Sequence, residues 1–187
     1  MRTPLNVVAV SGSSARPSRS LALTKATLAA LAHRIAIKPS IVHLGDIARP
    51  LGAALWRNEL DEHTEHALRQ IEAADLLLVV APVYRGSYPG LLKHLFDLID
   101  ISALIDTPVL LAATGGSERH ALVIDHQLRP LFAFFQALAL PVGIYAAEAD
   151  FQDYRVSNPA LRERIALAAE RAAGVLGARP DALLRIA

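Results

Sequence analysis

Leu76-Leu77-Leu78-Val79-Val80-Ala81 runs directly into Pro82-Val83-Tyr84-Arg85-Gly86-Ser87-Tyr88-Pro89-Gly90. Six apolar residues with no polar alternation make a strand-length run covered on both faces, as in a parallel sheet between two helix layers. The switch to Pro, Gly and hydroxyl residues then marks a loop at the carboxyl end of that strand, and residues 90–101 take up helical spacing. Three other runs have the same character: residues 7–10, 109–113 and 142–146. A fifth, residues 35–44, carries Lys38, Pro39 and His43 and is placed toward a sheet edge. Helical patterns at residues 20–33, 62–73, 121–139 and 159–176 fill the intervals. This alternation, with right-handed crossovers, predicts a doubly wound, three-layer α/β fold.

The most economical version is a flavodoxin-like five-stranded parallel sheet formed by one domain over residues 1–187. A hydrophobic fraction of 53% against 20% charged residues supplies a core and excludes a disordered chain. The net charge of +1 speaks against nucleic acid or an anionic membrane as partner. There is no cysteine, which removes disulfides, thiolate zinc sites and cysteine nucleophiles. No run reaches the ~20 apolar residues of a membrane span, and the N-terminal run is too short for a signal peptide, so the cytoplasm is the expected compartment.

Ligands of such sheets bind beyond the carboxyl ends of the strands, and three special loops fall on that rim. Ser11-Gly12-Ser13-Ser14-Ala15-Arg16-Pro17-Ser18-Arg19-Ser20 combines hydroxyls, two arginines and a helix N-terminus, which favours a phosphate. It has neither GxGxxG nor GxxxxGK[ST], so a monophosphate fits better than a dinucleotide or a nucleoside triphosphate. Taken alone, a Ser18 or Ser20 helix cap with solvated arginines explains the loop equally well. Residues 82–90 carry Gly86 and Gly90 for close backbone approach to a flat ligand, with Tyr84 and Tyr88 as polar-tipped rings. Thr114-Gly115-Gly116-Ser117 adds free backbone N–H groups, although a plain tight turn would have the same composition. Together the loops fit a ligand with a phosphate at one end and a planar system at the other, as in FMN.

The segments Gly12-Ser13-Ser14-Ala15-Arg16-Pro17-Ser18-Arg19-Ser20, Pro82-Val83-Tyr84-Arg85-Gly86-Ser87-Tyr88-Pro89-Gly90 and Ala113-Thr114-Gly115-Gly116-Ser117 resemble the NADPH-dependent FMN reductases. Within that family they look most like the reductase partners of alkanesulfonate and methanesulfonate monooxygenases, over residues 7–170. The resemblance implies oxidation of NADPH or NADH and delivery of reduced FMN to a separate monooxygenase. It also implies that Ser11, Ser13, Ser18, Arg19 and Ser20 hold the FMN phosphate. Pro82, Val83, Tyr84, Arg85, Gly86 and Ser87 would line the ring edge, and Thr114, Gly115, Gly116 and Ser117 its pyrimidine end. No covalent catalyst is implied, because the cofactor carries the chemistry and the protein supplies position.

Seven histidines raise the question of metal, but His63 and His66 lack a third ligand at a recognised spacing, so no metal site is expected. His94, His120 and His126 read as hydrogen-bonded, partly buried residues beside the site. Along residues 121–139 the apolar positions cover about half the helix circumference, wider than a one-sided helix needs, which predicts a homodimer or homotetramer. Pro130 cannot donate to the carbonyl of His126, so a kink or π-bulge is expected there. Three other readings compete: a quinone or azo reductase that retains FMN; a one-electron carrier, for which the charge is insufficiently acidic; and a regulatory or scaffolding module that only senses nucleotide, which steady NADPH oxidation would exclude.

Overall fold

The computed structural model describes residues 3–178. Five parallel strand positions run in the order β2 (Ile37–His43), β1 (Leu5–Ser11), β3 (Leu76–Pro82), β4 (Pro108–Gly115) and then an edge position filled by two short segments. Those segments are β5 (Leu138–Ala139), beside Pro108 and Val109, and β6 (Ile144–Ala147), beside residues 112–115. The strand expected at residues 142–146 therefore starts later. Pro141 has no N–H for a ladder, and Gly143 lies so close to Ile124 that a Cβ there would come within 2.9 Å of its Cγ2. The weaker run is the edge strand β2, as its polar residues predicted.

Although each central strand carries an unbroken apolar run, the residues of that run divide by period two. Val8, Val10, Leu77, Val79, Leu111 and Ala113 belong to one core, and Val7, Ala9, Leu78, Val80, Leu110 and Ala112 to the other. The first core is covered by α2 (Leu44–Ala53), α3 (Glu62–Glu72), α4 (Gly90–Asp97) and α5 (Arg129–Phe134). The second is covered by α1 (Arg19–Ala32) and α6 (Pro159–Ala178). The doubly wound, three-layer flavodoxin-like architecture is thus realised.

Other elements also depart from the sequence reading, and the helix expected over residues 90–101 ends at Asp97. Helix α2 was not anticipated, although Leu44, Ile47 and Leu51 lie buried on one face at helical spacing. The span 121–139 is not one helix: a π-helical turn (Ile124–Leu128) leads into α5, which stops at Phe134, and Gln136 adopts φ +54°. The irregularity expected around His126 is this π turn, directly ahead of Pro130. Most of the wide apolar arc packs into the chain's own core, since Ile124, Leu128, Phe132 and Phe135 are buried and Phe96 meets Phe132 edge-on at 5.0 Å. Phe134 remains 64% exposed. Finally, β7 (Phe151–Gln152) and β8 (Arg155–Val156) form an unforeseen hairpin whose tip residues Asp153 and Tyr154 have φ +50° and +56°. Among the described residues, no helix is long and apolar enough to cross a membrane, and no cluster of three potential metal ligands occurs.

Candidate functional site

Parallel pairing sets the carboxyl ends of β1, β3 and β4 side by side: Ser11 is level with Val80, and Pro82 with Thr114. Backbone bonds continue past the strands, from Gly12 N–H to the Val80 carbonyl and from Val83 N–H to the Thr114 carbonyl, both 2.8 Å. The three loops singled out in the sequence therefore meet on one rim.

In the first loop Ser11, Ser13, Ser18 and Ser20 are all buried, an unusual concentration of hydroxyls for a surface connection. Ser18 is the N-cap of α1, its side chain accepting from the Leu21 N–H at 3.3 Å. The hydroxyl proton of Ser18 is left for another acceptor. The first helical backbone bond runs from Ala22 to Ser18, so the amides of Arg19 and Ser20 precede the intrahelical ladder. Ser13 accepts from the Ala15 N–H at 3.2 Å. Ser20 Oγ lies 2.7 Å from Thr114 Oγ1, tying the first loop to the third. The chemistry of this set, hydroxyl and amide donors at the positive end of a fourteen-residue helix, fits a phosphate monoester.

The arginines behave differently from the serines. Arg19 Nη2 pairs with Glu148, and its guanidinium carbon stands 5.9 Å from the centre of the Tyr154 ring. Arg16 makes a two-oxygen contact with Asp46, at 2.7 and 2.9 Å from Nη2.

In the second loop, Tyr84 and Ser87 exchange backbone bonds of 2.8 and 3.3 Å around Arg85 and Gly86, whose φ values are +53° and +88°. This tight turn requires left-handed backbone, and Gly86 has open space around it where a Cβ would stand. Tyr84 is exposed, while Pro82 is buried and Val83 partly buried. Ser87 Oγ donates to Gln127 Oε1 at 3.1 Å, which joins this loop to the π turn. In the third loop, a Cβ on Gly115 would fall 2.1 Å from the Tyr145 hydroxyl. That hydroxyl donates to the Ser117 carbonyl at 2.5 Å, and burial, with Glu118 and Asp150 nearby, pushes its pKa up. Gly116 is free of such contact.

Sequence reasoning missed His43, Gly45, Asp46, Tyr145 and Glu148. His43 ends β2 and is buried, with Nδ1 3.2 Å from Ser11 Oγ and Nε2 without a hydrogen-bond partner among the described residues. Burial lowers its pKa, with Arg16 acting in the same direction and Asp46 opposing. Gly45 is confined between the Ser14 carbonyl and the His43 ring. No local signal marks His43, because its edge strand already carries Lys38, Pro39 and Ser40. As expected, His94 is partly buried and bonded, donating to the Ala54 carbonyl at 2.8 Å, whereas His126 is exposed.

Residues 5–152 match the model of the NADPH-dependent FMN reductase family. The chain is 66% identical to an NADH-dependent FMN reductase, SfnF, of Pseudomonas fluorescens, over 100% of both chains. It is 63% identical to an FMN reductase (NADPH) of Pseudomonas aeruginosa, again over 100% of both. Among solved structures, an NADH:FMN oxidoreductase (EMOB) in its apo form superimposes with TM-score 0.82 at 27% identity, covering 93% of this chain and 91% of that one.

Proposed function

Because this chain belongs to the NADPH-dependent FMN reductase family, we propose that it oxidises NADH or NADPH, reduces FMN and passes the reduced flavin to a separate monooxygenase of the alkanesulfonate or methanesulfonate type. The observation that carries the site assignment is the convergence of buried Ser11, Ser13, Ser18 and Ser20 with Thr114 at the N-terminus of α1. FMN supplies the two-electron chemistry, accepting hydride from the nicotinamide.

The residues of the chain position that exchange. Ser13, Ser18 and Ser20 donate toward the phosphate, with the α1 amides behind them, while Ser11 is oriented by His43 Nδ1. The turn at residues 84–87 would hold the ring edge, where Gly86 has no side chain to obstruct a flat ligand. Backbone N–H groups of Gly115 and Gly116 would meet the pyrimidine end, in a loop held by the bond from Tyr145 to Ser117. Arg19 and Arg85 complete the set named in the resemblance. We take the whole chain to act as one flavin-binding domain of the cytoplasm, assembled as a homodimer or homotetramer.

The test mixes purified protein with NADH or NADPH, with and without added FMN, and follows nicotinamide absorbance. Oxidation that saturates with added FMN is the expected result. Flavin that survives extensive dialysis and supports full activity without added FMN would instead identify a retained prosthetic group.

A further inference from the structure

The phosphate-binding loop contains two arginines, and each is already held by a carboxylate from another element. Arg16 meets Asp46, in the first turn of α2, through both carboxylate oxygens. Arg19, the first residue of α1, meets Glu148, just beyond β6. Four side chains therefore bring two positive and two negative charges to the rim of the site, and their sum is zero.

The Arg19 clasp is built into the framework. Asp150 fixes the turn that presents Glu148: its Oδ2 accepts from the Ala147 N–H at 2.8 Å, its Oδ1 from Asn158 Nδ2 at 2.5 Å, and its carbonyl from the Ser157 N–H at 2.9 Å. Asp150 is itself buried. On the other side, the hairpin tip brings the Tyr154 ring to Arg19 although two non-glycine residues there must adopt positive φ. Sequence and backbone thus combine to keep a cation beside the helix N-terminus while cancelling its charge.

We propose that Asp46 and Glu148 limit how tightly the flavin phosphate is held, by neutralising the two arginines that would otherwise add their charge to its binding. The inference rests on the reading of FMN as a substrate that leaves after reduction. A reductase of that kind gains nothing from very tight retention, because release then slows turnover. With the arginines paired, affinity comes from hydroxyls and amides; with the carboxylates neutralised, two unopposed guanidinium groups act on a dianion. All four side chains are between about one third and three fifths exposed, so solvent moderates the effect.

The experiment compares full-length wild type with the double variant Asp46→Asn/Glu148→Gln. FMN and riboflavin are titrated separately by flavin fluorescence, at low and high salt, and turnover is measured with NADH and NADPH. The double variant should bind FMN about five- to thirtyfold more tightly at low salt. Riboflavin affinity should be unchanged, the gain should shrink in high salt, and turnover should fall as release slows. FMN binding no tighter than wild type, or FMN and riboflavin changing in parallel, would overturn the proposal and leave the two pairs as structural clasps. Wild-type protein that oxidises neither nicotinamide with FMN would defeat the functional reading itself, whereas an active wild type with an unchanged double variant defeats only this inference.

Discussion

Ser20 and Thr114 share one hydrogen bond between two hydroxyls, and the direction of that bond decides what Ser20 can do. If Thr114 donates, Ser20 keeps its proton for a phosphate; if Ser20 donates, it offers only lone pairs. A dianion at the α1 N-terminus favours the first arrangement. Ser13→Ala combined with Ser20→Ala should therefore weaken FMN binding by about 1 to 3 kcal/mol, the scale of charge-assisted hydrogen bonds. Riboflavin titration is the control, and equal losses for both flavins would remove the phosphate from this loop. The serine cluster was legible because an apolar run ahead of it and helical spacing after it bracket the loop, although Ser18 also serves as the helix cap that would account for one of these hydroxyls. His43 was not, because nothing local announces a histidine whose meaning depends on Ser11 thirty-two positions away. Its pKa lies below the ordinary 6.5, chiefly through burial, so as pH falls through that ordinary value the unfolded chain takes up the proton first. His43 thus costs stability progressively on acidification, until its folded pKa is passed. Denaturant midpoints measured from about pH 7.5 down to about pH 5.5 should fall further for wild type than for His43→Asn. Parallel curves would place the titrating group elsewhere.

Elements were read well where periodicity is strong and badly where a chain break decides. The buried runs of β1, β3 and β4 needed no tertiary information, because full coverage on both faces leaves only apolar side chains. The stretch 121–139 kept its helical spacing, yet the structure divides it into a π turn, a short helix and a two-residue strand. Pro130 signalled the first interruption. The second arises at Gln136, whose left-handed backbone is no property of glutamine and follows from the chain turning to place Leu138 and Ala139 beside β4. Helix α2 escaped because Pro50 lies inside it and only three of its apolar residues are buried. Its junction with the first loop is tight: a Cβ on Gly45 would come 2.7 Å from the Ser14 carbonyl, a backbone atom that cannot rotate aside. Gly45→Ala should destabilise the fold by about 1 to 3 kcal/mol through overpacking and displace the loop. Thermal melting and FMN titration together check it: both should worsen, and a lowered melting temperature with unaltered FMN affinity would show that this junction does not position the flavin.

At the scale of the molecule, the exposed apolar side chains are unevenly distributed. Phe134 is 64% exposed, Leu138 43%, Ile101 63% and Ile105 44%. Phe134 stands at the end of α5, next to Phe135, which points inward against Phe96. The two adjacent phenylalanines therefore differ: Phe135 packs into the chain's own core, and Phe134 lies on the surface. The bond from Asp106 N–H to the Gln136 carbonyl brings the loop carrying Ile101 and Ile105 up to the end of α5, so these side chains belong to neighbouring segments. Several large apolar groups on adjacent segments are what an interface between like subunits buries. Because Phe134 contributes little to its own subunit's core, Phe134→Asp should leave the monomer folded while placing a charge where a second copy would pack. Sedimentation at micromolar concentration should show wild type as a dimer or tetramer and the variant shifted toward monomer, with unchanged circular dichroism. A variant that sediments like wild type would move the contact away from α5, and a monomeric wild type would abolish it.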